Sequence, residues 1–242
     1  MSNRARTTGL NGVAFFDVDE TLLNLKSMVS FYLFFCQRFS REERTLGIRA
    51  LNKVLTSNEP REQANASYYH LLAGQSETDV AEAGRAWFQQ ILRHGAIEER
   101  VLTRLVTHRA NGYHVVLVSG SFPACLNPVA TYVHADRILC SRPEIIHGDY
   151  TGLLDVPMIG SEKASAVKAV IAEFPPDTPS WAYGDHASDL PMLNEVRHAV
   201  VVGHDPTLRE AAKEKGWQTL PQELVHRRTD LSPLPPKRVD AR

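Results

Sequence analysis

A short apolar run that ends in two acidic residues constrains the fold of this chain more than any other feature. Residues 13–16 read Val-Ala-Phe-Phe, and Asp17 and Asp19 follow almost directly. An uninterrupted apolar run of this length is typical of a strand that is buried on both faces of a parallel sheet. Acidic residues after such a strand lie at the sheet edge where α/β proteins bind their ligands.

Three further apolar runs are each followed by small or polar residues. They are residues 114–118 before Ser119-Gly120-Ser121, residues 180–183 before Gly184-Asp185, and residues 199–202 before Gly203. Helical patterns cover residues 96–110, 161–174, 189–196 and 206–215. Strands that alternate with helices predict an α/β fold with a Rossmann-like parallel sheet.

The stretch from residue 25 to residue 95 interrupts this alternation. It contains no convincing strand, and it shows four helical segments at 27–39, 41–57, 60–73 and 77–93. We therefore predict an α/β core at 12–24 and 96–220, with an all-helical cap at 25–95 inserted after the first strand. Residues 137–154 predict a small β-excursion with a turn near Gly148. Residues 1–11 and 221–242 are predicted to be loose termini.

Composition narrows the class of protein. The chain has 242 residues and a formal net charge of −1, so no basic field favours nucleic acid as a partner. Its most apolar run, residues 28–36, is far shorter than the ~20 residues that span a bilayer, which predicts no membrane partner. Three widely spaced cysteines fit neither a disulfide framework nor a zinc site. We expect a cytoplasmic protein, either a monomer or a homodimer.

The segment Asp17-Val18-Asp19-Glu20-Thr21 has the residue types that phosphoryl transfer through a covalent intermediate requires. One carboxylate serves as the nucleophile. A second protonates the leaving oxygen and later deprotonates water. Asp17 and Asp19 fit these two roles. Two acids would repel a phosphate dianion, so a cation is required, and Mg²⁺ suits a site built only from oxygen atoms.

This segment has three other interpretations. An EF-hand requires residue types that positions 21, 22 and 28 do not have. The D-x-D metal site of a nucleotide-sugar glycosyltransferase stays open, although no second motif supports it. The simplest structural interpretation is a strand-end turn with two solvated acids.

Two later segments offer groups that bind phosphate. Ser119 and Gly120 follow an apolar strand, where a hydroxyl and loop amides can hold phosphoryl oxygens, although such residues are also common in turns. Lys163 lies at the start of a helix, where its charge can hold a phosphate and balance Asp17. Lys168 lies more than one turn further along, and a single lysine is most often a solvated surface residue.

The last segment is Gly184-Asp185-His186-Ala187-Ser188-Asp189. Asp185 follows a strand and is placed to complete a metal site with Asp17. Asp189 falls on the first helical turn, where it can hold Lys163 or a metal-bound water. Ser188 and Asp189 could equally be capping residues at a helix N-terminus.

Together these segments resemble the haloacid dehalogenase superfamily, specifically its phosphoserine phosphatase-like branch (subfamily IB) with a helical C1 cap. The similarity covers roughly residues 12–215. The matching segments are D-x-D-x-T at 17–21, S-G at 119–120, the lysine at 163 and G-D-x-x-S-D at 184–189.

The resemblance implies a phosphomonoesterase and a role for each matching residue. Asp17 would be the nucleophile and Asp19 the acid and base. Mg²⁺ would be bound by the Asp17 carboxylate, the Asp19 backbone carbonyl and Asp185. Ser119 and Lys163 would hold the phosphoryl group. Further catalytic and substrate-binding positions are Asp189, Gly120 and Thr21.

Two positions depart from the phosphoserine phosphatase pattern. Those enzymes carry a glutamate that binds the substrate ammonium, and Lys26 stands at the matching position. They also carry a cap arginine that binds the substrate carboxylate, and a loose alignment puts Tyr68 there. We predict that Lys26 and Tyr68 bind a small-molecule phosphate ester other than phosphoserine, with a second anionic group or a neutral polar body. Phosphoserine phosphatase, or a non-catalytic phosphate-binding protein of the same fold, are the alternatives.

Overall fold

The computed structural model describes residues 9–221, in which a parallel sheet holds the strand ends together. The strands are β1 (Gly12–Asp17), β2 (Tyr113–Ser119), β3 (Arg137–Cys140), β4 (Arg142–Ile146), β5 (Asp149–Val156), β6 (Ser180–Gly184), β7 (His198–Val202) and β8 (Gln218–Leu220). Six of them form one sheet in the order β3-β2-β1-β6-β7-β8. The paired strands of this sheet all run parallel. The prediction of an α/β parallel sheet is therefore confirmed.

Helices follow most of these strands. They are α1 (Ser27–Phe35), α2 (Arg41–Leu55), α3 (Arg61–Tyr69), α4 (Glu77–Arg93), α5 (Glu99–Ala110), α6 (Pro123–Val133), α7 (Ser161–Ile171), α8 (Leu190–Asn194) and α9 (Pro206–Lys215). Single 3-10 turns extend α1 and α3 and precede α8.

The central strand β1 shows why the sheet is buried on both faces. Ala14 and Phe16 belong to a core that includes residues of α5, α6 and the cap. Val13 and Phe15 point the other way, into a core that includes residues of α7, α8 and α9. Successive side chains of a strand alternate between faces, so a fully apolar run is what a two-sided core requires. The neighbours β2 and β6 extend to opposite sides of β1, which places the topological switch point, and thus the ligand-binding edge, at Asp17.

Helices α1 to α4 lie between β1 and α5, where the sequence predicts an all-helical cap. Helix α2 begins with a capping box in which Ser40 and Glu43 bond each other's backbone N–H groups. Helix α4 packs closely on α6 of the core. A Cβ atom built at Gly84 would lie 2.0 Å from the carbonyl oxygen of Ala124, so only glycine permits this approach.

The predicted β-excursion divides into two parts. Strand β3 joins the edge of the main sheet, while β4 and β5 form an antiparallel hairpin. The turn of the hairpin has left-handed backbone at His147 and Gly148, with φ of 54° and 90°. The hairpin binds the cap through its backbone. Gly74 N donates to Tyr150 O at 2.8 Å, and Glu77 N donates to Gly148 O at 2.8 Å.

Some elements were not predicted, and one prediction falls partly outside the described residues. Helix α6 contains Pro128 in its interior, a residue that normally ends a helix, which hides its pattern in the sequence. Residues 1–8 and 222–242 lie outside the described residues. Asn11 falls within the predicted loose N-terminal segment, yet it donates its backbone N–H to Gly112 O at 2.9 Å.

Across residues 9–221, no helix combines the length and the apolar character needed to cross a membrane.

A buried histidine beneath the sheet predicts a pH effect on stability. His108 on α5 is 9% exposed, and its Nε2 lies 2.9 Å from the Tyr183 hydroxyl. Burial lowers the pKa of His108 to about 4 from its ordinary 6.5, and the charge of Arg104 acts in the same direction. The unfolded chain therefore takes up this proton at a higher pH than the folded protein. Stability should fall as the pH drops through this interval.

We expect wild type to lose about 2 kcal/mol more unfolding free energy than His108→Gln between pH 7.5 and pH 5. Glutamine keeps a hydrogen-bonding group near Tyr183 and removes the titration. The measurement is urea unfolding at both pH values. Equal losses in the two proteins would show that His108 does not titrate differently in the folded state.

Candidate active site

The chain bends sharply after β1, and this bend brings the first two acids to one edge. Asp17 ends β1 and is 4% exposed. The backbone N–H groups of Leu22 and Leu23 both donate to the carbonyl oxygen of Val18, at 3.0 and 2.8 Å. Glu20 within the bend has a φ of 60°, a conformation that residues other than glycine adopt rarely. The bend therefore turns the chain away from the sheet immediately after Asp19.

Lys163 meets this edge from helix α7. The helix begins after Gly160, whose φ of 56° favours glycine, and Lys163 lies in the first turn. Its side-chain nitrogen donates to Asp17 Oδ1 and, at 2.7 Å, to Asp189 Oδ1. All three side chains are at most 6% exposed. The structure thus brings together the predicted residues of β1, α7 and the turn before α8 in one buried ionic cluster.

Asp185 completes the cluster from the end of β6. Carboxylate oxygens of Asp17, Asp185 and Asp189 all lie within 4.8 Å of one another. Thr21 is fully buried and donates its hydroxyl to Asp185 Oδ1 at 3.0 Å. The Thr21 hydroxyl hydrogen therefore orients a carboxylate, and substrate binding by Thr21 stays a prediction.

The three carboxylates and one lysine are electrostatically unbalanced. Burial raises the pKa of Asp17 to about 7; Lys163 lowers it, and the nearby Asp189 raises it. Burial also raises the pKa of Asp185 to about 8, with the charges of Asp17 and Asp189 acting in the same direction. Burial alone lowers the pKa of Lys163, but the two carboxylates outweigh it and keep the ammonium charged. A single lysine does not neutralise the cluster.

This donor set fits a hard divalent cation. Mg²⁺ prefers oxygen ligands and is usually held by one or two carboxylates together with water. The residues that would hold it are Asp17 and Asp185 through their carboxylates, with the backbone carbonyl of Asp19. Both oxygens of Asp189 already accept hydrogen bonds, from Lys163 Nζ and from His186 N at 3.4 Å. Asp189 is therefore placed to position Lys163.

Asp19 stands apart from the cluster and is held by the cap. Its Oδ1 accepts the backbone N–H of Ser27, the first residue of α1, at 3.1 Å. Burial raises the pKa of Asp19, while hydrogen bonds from Ser27 act against that shift. A carboxyl group with a raised pKa and one oxygen already bonded is suited to exchange a proton at its other oxygen.

The loop after β2 forms the opposite side of the site. Ser119 is 1% exposed, and its Oγ accepts the backbone N–H of Ser121 at 3.0 Å. Gly120 packs against the chain at Ile159, since a Cβ there would lie 3.0 Å from Ile159 Cγ1. The space beside the Gly120 backbone therefore has no room for a side chain.

The two predicted cap residues have different placements. Lys26 is 58% exposed, and its Nζ lies 3.6 Å from Glu20 Oε2, near the mouth of the site. Tyr68 is 3% exposed and donates its hydroxyl to Met28 O at 2.8 Å. The Tyr68 side chain packs in the aromatic core and its hydroxyl is already bonded, and its role in substrate binding stays a prediction.

Sequence reasoning missed Arg61 and Asn65 near the site, and it singled out Ser27 only as a cap residue that selects the substrate. Arg61, at the start of α3, lies close enough to Asp19 for its charge to lower the pKa of that carboxyl. Ser27 binds Asp19, and Asn65 donates to Gly120 O at 3.0 Å. Ser27 and Asn65 lie on cap helices, and no local pattern shows which face of a cap helix contacts the core.

The chain is similar to several known proteins. A family model described as haloacid dehalogenase-like hydrolase matches residues 14–194. A Mycobacterium tuberculosis protein named as a probable phosphatase is 31% identical over 224 residues, covering 90% of this chain and 76% of its own. A histidinol-phosphatase of Neisseria meningitidis is 26% identical over 229 residues, covering 87% of this chain and 99% of its own.

Solved structures show the same fold. A protein of unknown function from Bordetella pertussis aligns with a TM-score of 0.76 at 25% identity, covering 86% of this chain and 97% of the other. A phosphoserine phosphatase with a phospho-aspartyl intermediate analogue aligns with a TM-score of 0.57 at 18% identity, covering 83% and 90%. The relatives support the prediction of a phosphomonoesterase, and the chain belongs to the haloacid dehalogenase-like hydrolase family.

Proposed function

We propose that this protein is a Mg²⁺-dependent phosphatase that hydrolyses a small-molecule phosphomonoester through an aspartyl-phosphate. The observation that supports the proposal most is the buried cluster at the sheet edge. Lys163 bridges Asp17 and Asp189 there, with Asp185 within 4.8 Å and Asp19 two residues away along the chain. Such a cluster of buried like charges costs folding energy, and a bound cation would offset part of that cost.

The first chemical step uses Asp17 and Asp19. A carboxylate oxygen of Asp17 attacks phosphorus, and the bond between phosphorus and the ester oxygen breaks. The leaving oxygen takes a proton from Asp19 and departs as an alcohol. Lys163, held by Asp189, and the Ser119 hydroxyl donate to the phosphoryl oxygens on which charge develops.

The second step returns the site to its starting state. Asp19, now a carboxylate, removes a proton from water, and the water oxygen attacks phosphorus. The bond between phosphorus and Asp17 breaks, so that Asp17 leaves as a carboxylate and inorganic phosphate is released. Bound Mg²⁺ supplies positive charge that offsets the repulsion between the carboxylates and the phosphate.

For the substrate, we propose a phosphomonoester with a second anionic group or a neutral polar body, and not phosphoserine. Lys26 and Arg61 both carry positive charge near the site, Lys26 at its mouth and Arg61 close to Asp19. Positive charge here disfavours a substrate ammonium group, which phosphoserine and histidinol phosphate both carry. Glu20 lies 3.6 Å from Lys26 and partly offsets its charge, so a substrate with a neutral polar body is also compatible with this part of the site.

The test is phosphate release from four esters, with Mg²⁺ and with EDTA. Phosphoserine and histidinol phosphate carry an ammonium group, phosphoglycolate carries only a carboxylate, and glycerol 3-phosphate has a neutral body. We expect Mg²⁺-dependent release with phosphoglycolate or glycerol 3-phosphate ahead of both ammonium esters. In Lys26→Glu, the kcat/KM ratio of phosphoserine to phosphoglycolate should rise about fivefold, since one surface charge pair is worth about 1 kcal/mol.

Two outcomes would contradict the proposal in different ways. Phosphoserine as the best substrate of wild type would overturn the substrate assignment and leave the reaction class in place. If the folded protein with Mg²⁺ bound released phosphate from none of the esters, the result would favour a non-catalytic phosphate-binding protein.

We also propose a cytoplasmic location. Cys36, Cys125 and Cys140 are each buried and unpaired, as expected of a protein in a reducing compartment.

A further inference from the structure

The carbonyl oxygen of Gly120 accepts hydrogen bonds from three side chains. Asn65 Nδ2 lies 3.0 Å from it, the Tyr69 hydroxyl 3.2 Å, and Ser141 Oγ 2.8 Å. A carbonyl oxygen has two lone pairs, so three donors hold it more firmly than usual. Asn65 and Tyr69 belong to cap helix α3, while Ser141 belongs to the core. Two of the three donors therefore depend on the position of the cap.

This carbonyl is rigidly connected to the phosphate side of the site. Gly120 C=O and Ser121 N–H belong to one planar peptide unit, so fixing the oxygen fixes the N–H on the opposite side. Ser121 N–H donates to Ser119 Oγ at 3.0 Å. Because Ser119 Oγ accepts this bond, its own hydrogen is available to a phosphoryl oxygen.

A second cap contact reaches the same loop. Ser27 on α1 donates its hydroxyl to Ser121 Oγ at 2.8 Å, and both side chains are fully buried. The loop is also enclosed at Gly120, where a Cβ would lie 3.5 Å from Asn65 Nδ2. The conformation of residues 119–121 is thus determined jointly by the core and by two cap helices.

We infer that Asn65 and Tyr69 are positioning residues that couple the docking of the cap to the orientation of the Ser119 hydroxyl. With α3 docked, the Gly120–Ser121 peptide is held so that Ser119 faces the phosphoryl group. With α3 displaced, two of the three donors to Gly120 O are lost and the peptide is held less firmly. The inference rests on the proposed function, because it assigns phosphate binding to the Ser119–Ser121 loop.

The test compares Asn65→Leu and Tyr69→Phe with wild type. Each variant removes one donor to Gly120 O and keeps the approximate shape of the side chain. We expect each to lower kcat/KM for the best ester by about tenfold to a hundredfold, as small misplacements of catalytic groups do. Inorganic phosphate, titrated calorimetrically with Mg²⁺ present, should bind more weakly by a similar factor. The double variant should lose less than the product of the single losses, since both donors serve one acceptor.

The matched control is Ser67→Ala on the same helix. Ser67 donates to Glu59 Oε2 at 3.3 Å and does not contact the loop, so this variant should match wild type. A purely structural role for Asn65 and Tyr69 would lower the melting temperature and leave phosphate affinity and kcat unchanged in the folded protein. That outcome, in both variants, would overturn the inference.

The two proposals fail separately. Turnover by wild type with unchanged phosphate affinity in Asn65→Leu and Tyr69→Phe would overturn the positioning role and support the phosphatase. Weaker phosphate binding in both variants, without turnover by wild type, would support the positioning role and overturn the phosphatase. Absence of both phosphate binding and turnover in wild type would overturn both.

Discussion

Phosphate release by Asp17→Asn is expected to fall by roughly ten-thousandfold or more, because loss of a covalent nucleophile removes the pathway itself. Asparagine has nearly the same shape as aspartate and lacks the carboxylate that attacks phosphorus. The measurement is release of phosphate from the best ester at saturating Mg²⁺. Trapping with acid should recover radiolabelled phosphate bound to wild type and none bound to the variant.

The fold of Asp17→Asn should survive. Lys163 keeps its bond to Asp189 at 2.7 Å, and the repulsion between positions 17 and 185 is relieved. Asp155→Asn, the same substitution at an exposed position of β5, is the control and should keep full activity. Retained turnover in Asp17→Asn would contradict a covalent mechanism through this residue.

Lys163→Met is expected to destabilise the protein by about 3–5 kcal/mol at pH 8 in EDTA. With Mg²⁺ present, the same variant should have no activity. Lysine and methionine have similar stems, so the change removes mainly the charge. Asp17 and Asp189, at 4% and 1% exposure, then face each other without a cation. The measurement is urea unfolding, compared with Lys168→Met on the exposed face of the same helix, which should lie within about 0.5 kcal/mol of wild type.

The sign of the pH dependence follows from Asp17. Its pKa is raised by burial even with Lys163 present, and removal of the lysine raises it further. The folded variant therefore holds a proton that the unfolded chain releases, so its stability should decline as the pH rises. The deficit of Lys163→Met should be smaller at pH 5.5 than at pH 8. A deficit that is absent at both pH values would show that the charge of Lys163 does not stabilise the buried carboxylates.

The sequence was most informative at the strand ends. Asp17, Ser119 and Asp185 follow apolar runs, and parallel strands bring their carboxyl ends to one edge whatever the details of packing. Lys163 and Asp189 could be predicted because each falls in or beside the first turn of a helix that returns to that edge. These sequence segments therefore predicted each residue of the ionic cluster.

The contacts between the cap and the core could not be predicted from the sequence in this way. Its four helices were predicted from apolar periodicity, but periodicity does not show how a helix is rotated against the core. The loose alignment selected Tyr68, whereas the structure turns Asn65 and Tyr69 of the same helix toward Gly120. Helix α6 was missed because Pro128 breaks the local pattern, a cost that its buried face against the sheet and cap offsets.

The position of β1 in the sheet has a consequence for the order in which the protein is made. The strand is synthesised first, yet it lies at the centre, and its partners β2 and β6 begin at Tyr113 and Ser180. A nascent chain cannot complete the sheet around Asp17 until Gly184 has left the ribosome. Contacts between residues so distant in sequence form slowly, so the apolar first strand lacks its β6 partner until that segment has been synthesised. The hydrogen bonds within each cap helix are local, so these helices have the opportunity to form before the core they cover.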